Sequence, residues 1–218
     1  MNIRKICFII LSIWMLSIIK LSAQDSVQYK IKYGTLTYTM SSILSLPGIP
    51  PLKITAEGKI SFDDYGKKQV THYTEKNNPG EAVLCTTKHY LALRLPGYYI
   101  LINEDANEKI DEENLSSATK ETVAQHSIIN YDHLTGTTSE MFTSELIGSA
   151  TYLGKVCKKY RVTEKINLYG SEQFVMVWNN IVLERKLKTA AIQYEYKVVE
   201  INEAETDASL FSIPEINQ

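Results

Sequence analysis

The chain has 218 residues, and its 23 lysines and arginines against 25 aspartates and glutamates leave a net charge of −2. That balance argues against nucleic acid as the main partner, because neutralising a phosphate backbone takes a basic surface. Fourteen tyrosines, frequent Thr, Val and Ile, and few long helical periods make strands the dominant expectation.

The chain opens on Arg4 and Lys5, continues through an apolar run from Ile6 to Ile19 and reaches small residues at Leu21-Ser22-Ala23. This is the pattern of a cleavable export signal, with cleavage expected near Ala23. Lys20 interrupts the run short of the ~20 apolar residues that span a bilayer, and no other segment comes close. Cys7 lies at the start of the apolar stretch instead of following it, so it is not placed to be an acylated cysteine. The expectation is therefore a signal over 1–23 and one β-rich extracytoplasmic domain over 24–218, exported to a periplasm or beyond the cell. The signal carries Arg4, Lys5 and Lys20 and no acid, so the remainder is more acidic than the whole. Cys85 and Cys157 remain in that domain, where an oxidising compartment would let them pair. A bond closing so long a loop contributes on the order of 4 kcal/mol by the chain-entropy estimate. Two buried reduced thiols are the alternative.

Taken in chain order, Tyr29, Ile31 and Tyr33 alternate with polar residues, and after Gly34 the apolar set moves to Leu36, Tyr38 and Met40. This predicts one long strand bent at the glycine. Ile54, Ala56, Gly58, Ile60 and Phe62 share one face of a second strand. Asp63-Asp64-Tyr65-Gly66 supplies a turn, and 67–74 returns as the other arm of a hairpin. Asn77-Asn78-Pro79-Gly80 turns again before strands at 82–95 and 98–102, joined by Pro96-Gly97. From Asn103 to Lys120 the sequence is acidic and without alternation, which predicts a loop. Val123, Ser127, Ile128 and Tyr131 then recur at near-helical spacing. Thr137 and Glu140 could form a capping box for a second short helix through Met141, Phe142, Leu146 and Ile147, with a strand as the competing reading. Strands resume over 152–163, 172–178, 181–187 and 192–202, with Asn179-Asn180 as a tight turn. The fold class expected is mainly β: a curved antiparallel sheet or incomplete β-barrel with one or two short helices.

Motifs that would carry catalysis or a cofactor are missing from the sequence. His72, His89, His126 and His133 are scattered without metal spacing. The run Asn103, Asp105, Asn107, Lys109, Asp111, Asn114 places oxygens at alternate positions. It has Glu108 where a calcium loop needs its glycine and Asn114 where it needs a bidentate glutamate. Gly148-Ser149 lacks a nucleophile elbow, and no phosphate-binding glycine loop occurs. Cys157 would need a histidine nearby to act as a nucleophile. The expectation is no catalytic residue, no metal and no cofactor.

Two features point toward binding. Phe174, Met176 and Trp178 alternate with Val175 and Val177, so that strand is apolar on both faces; it lies between two layers or between a core and a cavity. The run Ile43-Leu44-Ser45-Leu46-Pro47-Gly48-Ile49-Pro50-Pro51-Leu52 is too apolar for an ordinary solvent loop and too rich in breakers for a helix. It could cap the sheet's own core, cover an apolar ligand or dock a partner. Leu46, Ile49, Phe174, Met176 and Trp178 are the candidate ligand-lining residues. The expected partner is an apolar small molecule or a lipoprotein; the alternative is an envelope protein docked on a solid core.

The C-terminal third reads Tyr152-Leu153-Gly154-Lys155-Val156-Cys157-Lys158-Lys159-Tyr160, then Val177-Trp178, Ile181-Val182-Leu183-Glu184, Val198 to Ile201 and Leu210-Phe211-Ser212-Ile213-Pro214. This order resembles the exported lipoprotein-carrier-like superfamily of the LolA/LolB type, in particular secreted relatives with a Gly-x-x-Cys-x-x-Tyr strand and a closing Phe-x-x-Pro. The resemblance covers about residues 148–216. It implies an incomplete antiparallel barrel, partly plugged by short helices, whose concave face receives an acyl chain or other apolar ligand.

Overall fold

A computed structural model describes residues 29–45, 47–48, 50–78, 85–116, 118, 120–135, 139, 141–165 and 171–216. The export signal, Leu46 and Ile49 of the apolar loop, the Pro79-Gly80 turn and the Thr137/Glu140 capping box lie outside the described residues.

Six strands form a first meander: β1 (Gly34–Leu44), β2 (Leu52–Asp63), β3 (Lys68–Asn78), β4 (Thr86–Leu95), β5 (Tyr98–Asn103) and β6 (Glu108–Asn114). A crossover carrying the short helix α1 (Lys120–Gln125) and a 3-10 turn (Asp132–Leu134) leads to a second meander. That meander comprises β7 (Phe142–Tyr152), β8 (Lys155–Glu164), β9 (Glu172–Trp178), β10 (Ile181–Lys188) and β11 (Ile192–Asn202). β1 pairs with β11, so the two meanders fuse into one antiparallel sheet of eleven strands, ordered β6-β5-β4-β3-β2-β1-β11-β10-β9-β8-β7. The sheet is not closed: β6 and β7 are its edges.

The crossover shows that the sheet curls. The His126 ring lies 4.3 Å from that of Tyr99 on β5, and the Tyr131 ring 4.7 Å from that of Tyr160 on β8. Five residues of chain reach at most ~18 Å, whereas eight strand spacings in a flat sheet would separate β5 from β8 by ~38 Å. Only a strongly curved sheet lets one short segment touch both. Its concave face packs Leu36, Tyr38, Ile60, Phe62, Val175, Val177, Tyr196 and Val198 around Ala124, Ile129, Tyr131 and Leu134 of the crossover. The backbone is tied down as well, with Val182 N–H donating to Ile129 C=O at 2.8 Å.

A second, smaller core occupies the convex face. Val70, Leu93, Ile100 and Ile102 are covered by Phe211 and Ile216 of the C-terminal segment, and Thr206 Oγ1 donates to Phe62 C=O at 3.3 Å. The closing Phe211-x-x-Pro214 is thus a strap that buries apolar side chains projecting away from the main core.

Several elements differ from the sequence expectation. Residues 29–33 are not strand; β1 begins at Gly34, and its bulge falls between Thr37 and Tyr38. The preceding segment is held instead by Tyr29 N–H on Tyr65 C=O and Lys30 N–H on Asn179 C=O. The acidic stretch expected as a loop forms edge strand β6, since an edge strand needs backbone pairing on one side only and no buried face. The helix expected at Met141–Ile147 is β7, so the competing strand reading holds there. Residues 152–163 are not one strand: Leu153 and Gly154, both at positive φ, turn the chain between β7 and β8.

Cys85 and Cys157 are not bonded. Cys85 is exposed at the start of β4, and Cys157 is fully buried on β8, with six strands between them in the sheet. Burial also pushes the Cys157 thiol pKa up. On the native protein Cys85 is expected to react with a maleimide at once and Cys157 only on unfolding. Protection of both until a reductant is added would restore the disulfide.

Candidate functional site

The groove left between the crossover and the inner face of the sheet is the candidate site. It has a volume of about 280 Å³ and is lined by side chains from β1, β3, β4, β5 and α1, among them Tyr38, Met40, Tyr73, Tyr99 and His126. That size lies at the low end of the roughly 300–1,000 Å³ of ligand pockets. Register explains why these residues meet. Tyr38 stands opposite Gly58, and Gly58 opposite Tyr73, so the missing side chain at Gly58 leaves room between two inward tyrosines. A Cβ there would come within 2.6 Å of His72 C=O and 2.9 Å of Tyr38 Cε1. Burial raises the pKa of both Tyr38 and Tyr73, with neighbouring tyrosines adding to the shift. Both stay neutral.

A polar cluster lies beside this aromatic wall. Gln69 Oε1 accepts from Ser127 Oγ at 2.8 Å and from the Tyr29 hydroxyl at 3.2 Å. Gln69 lines the groove, and behind it is Arg94, only 3% exposed. The Arg94 guanidinium donates to Gly66 C=O and to Gln69 Oε1, the latter at 3.5 Å, while its Nε has no partner. Among the described residues no carboxylate pairs with it. Burial pulls its pKa below the ordinary arginine value, and Tyr29 opposes that shift. An unmatched buried cation costs several kcal/mol, so this position is chemically unusual. The mouth is polar too: His126 Nε2 lies 3.4 Å from Glu113 and its Nδ1 2.8 Å from Thr122 C=O.

Of the residues expected to line a cavity, the three on β9 are placed away from this groove. β9 alternates as expected, but Val175 and Val177 face the concave side, where Val175 stands opposite Tyr160 and Arg185. Phe174, Met176 and Trp178 face the convex side. Phe174 is 41% exposed between Arg161 and Lys186, and Met176 is buried between Lys159 and Glu184. Lys155 Nζ lies 4.8 Å from the centre of the Trp178 ring. The strand is apolar on both sides because the β7–β8 turn reaches over its outer face, where the Tyr152 hydroxyl donates to Val198 C=O at 2.7 Å. Sequence reasoning missed the groove residues on β3 to β5, since Gln69 and Arg94 read as polar members of strands with an exposed face. Other hollows, among them one beside Thr39 and Thr55 and one between the β5–β6 hairpin and 213–216, are rimmed by exposed charges such as Lys76 and Lys109. Among the described residues no group of three or more His, Cys, Asp or Glu side chains is placed to hold a metal.

No protein-family model matches the chain, and no curated protein matches it. Solved structures do resemble it. The matches include a LolA superfamily protein, LprF and a MucA/MucB complex. The first, from Nitrosomonas europaea, aligns over 89% of this chain and 96% of its own length, with 6% identity and a TM-score of 0.37. LprF from Mycobacterium bovis aligns over 86% of this chain and 94% of its own, with 7% identity and a TM-score of 0.39. In the Pseudomonas aeruginosa MucA/MucB complex the match covers 89% of this chain, with 10% identity and a TM-score of 0.42. This chain spans 60% of the length of that one.

Proposed function

We propose that this chain is an exported, non-catalytic binding protein whose concave groove holds an apolar chain, such as an acyl chain or lipidated segment, with an acidic group toward Arg94. The observation that carries the reading is the pairing of an aromatic groove with a buried guanidinium whose Nε has no partner and which no carboxylate pairs with among the described residues. Tyr38, Met40, Tyr73 and Tyr99 supply apolar surface, and a ligand acid would supply the missing counter-charge. Charge-assisted hydrogen bonds of that kind are roughly twice as strong as neutral ones. Nothing in the groove has to break a bond for this to work. The Gln69 side chain is the gate, because it stands between the groove and Arg94.

The test compares a long-chain fatty acid with its uncharged methyl ester, by titration against the mature protein. The acid is expected to bind about tenfold or more tighter, a difference of about 1.4 kcal/mol. Arg94→Met should abolish that preference while the protein stays folded, and Ala92→Phe should block both probes by filling the groove. Trp178→Glu, on the outer face, should leave both unchanged. Failure of the native protein to bind either probe would end this reading.

A further inference from the structure

The two edges of the sheet are built differently. On β6 every residue except Ile110 and Asn114 is charged, the usual means by which a protein keeps an exposed edge from pairing. β7 is longer, with eleven residues, contains no proline or lysine, and has Glu145 as its single charge. Among the described residues no strand pairs with its outer side. Leu146 is 56% exposed and Ile147 also stands in solvent, while Val156, across the hairpin from Thr151, is 77% exposed. An unpaired edge of this length, with a single charge, two exposed apolar residues and a bulge at Ile147 before Gly148, is a template for one more strand.

The charges behind that edge narrow the partner. β8 supplies Lys155, Lys158, Lys159 and Arg161. Lys155 pairs with Glu203, and Arg161 with Glu145 and Glu172. Lys158 and Lys159 are exposed and have no ion pair among the described residues. Their places in the register matter: Lys159 stands opposite Gly148 and Lys158 opposite Ser149. The edge residues in front of both lysines are therefore small, so each ammonium can reach past β7 toward an added strand. Neighbouring residues on a strand project to opposite faces, so Lys158 approaches from one face and Lys159 from the other.

We propose that the β7 edge binds an extended segment of another protein by strand addition, and that the segment carries two consecutive acidic residues opposite Gly148 and Ser149. One acid meets Lys159 on the outer face and the next meets Lys158 on the inner face. The flanking positions of the segment are apolar, to lie beside Leu146 and Ile147. This site is separate from the groove and does not depend on its having a ligand.

The experiment uses two short β-prone peptides that differ only in a central Asp-Glu or Lys-Lys pair, titrated against the mature protein with hydrogen exchange followed along β7. The acidic peptide is expected to bind at least tenfold tighter and to slow exchange of amides in 143–150. The exposed double change Lys158→Glu with Lys159→Glu should reverse the preference without affecting folding. Equal binding of both peptides, or binding without protection in β7, would overturn the proposal. So would protection of β7 that depends on protein concentration alone, because the edge would then belong to a second copy of this chain.

Discussion

The folded protein is expected to keep its structure up to about pH 10 and then to unfold cooperatively over the next few pH units, the unfolded tyrosine pKa being about 10. Burial pushes the Tyr29 phenol up to about 12, against the lowering effect of Arg94 and Ser127. Burial, with the neighbouring tyrosines, drives Tyr38 and Tyr196 further in the same direction. Below pH 10 both the folded and the unfolded chain hold these protons, so their contribution to stability is complete. Above it the unfolded chain releases them and the folded chain does not. Each such tyrosine then removes about 1.4 kcal/mol per pH unit. Three acting together would consume a typical stability of about 5–15 kcal/mol within a few pH units. The check is circular dichroism against tyrosinate absorbance through an alkaline titration. Coincident transitions support the argument. Tyrosinate that appears gradually around pH 10 in a protein that stays folded would show that these rings are open to solvent.

Gly58→Val is expected to destabilise the protein by about 3 kcal/mol, at the upper end of what overpacking a core costs. Local propensity predicts the opposite, because valine is favoured and glycine disfavoured inside a strand by up to about 1 kcal/mol. The contacts decide between them. A side chain at 58 would press on His72 C=O and on the Cβ of Tyr73, which are not the far ends of flexible groups. β2 would have to move away from β3 at the middle of the sheet, and the space between Tyr38 and Tyr73 would close. Chemical denaturation measures the cost directly. An unchanged or raised midpoint would mean that the sheet yields there and that the groove is softer than its packing implies.

Local reasoning succeeded where one face of a strand is buried and the other is wet. The boundaries of β9 and β11 and the inward set Ala56, Gly58, Ile60 and Phe62 follow from alternation alone, and Asn179-Asn180 turns the chain with both residues at positive φ. It failed where a strand has no buried face to mark it, as in β6, and where both faces are covered for separate reasons, as in β9. For β9 the pattern was correct and its interpretation ambiguous. Two apolar faces do not say which one looks into a groove.

The sequence by itself determined that the chain is mainly β, that its strands form antiparallel meanders, and which residues alternate, because these depend on spacing two or three positions apart. Only the tertiary structure decided that β1 joins β11, that the crossover fills part of the concave face, and that Arg94 and Gln69 come to lie beside Tyr29 and Ser127. Those contacts link residues tens of positions apart in the chain. They exist because a curved sheet of eleven strands brings both of its halves onto a single short segment. Curvature is a property of the assembled sheet, and no single strand carries it.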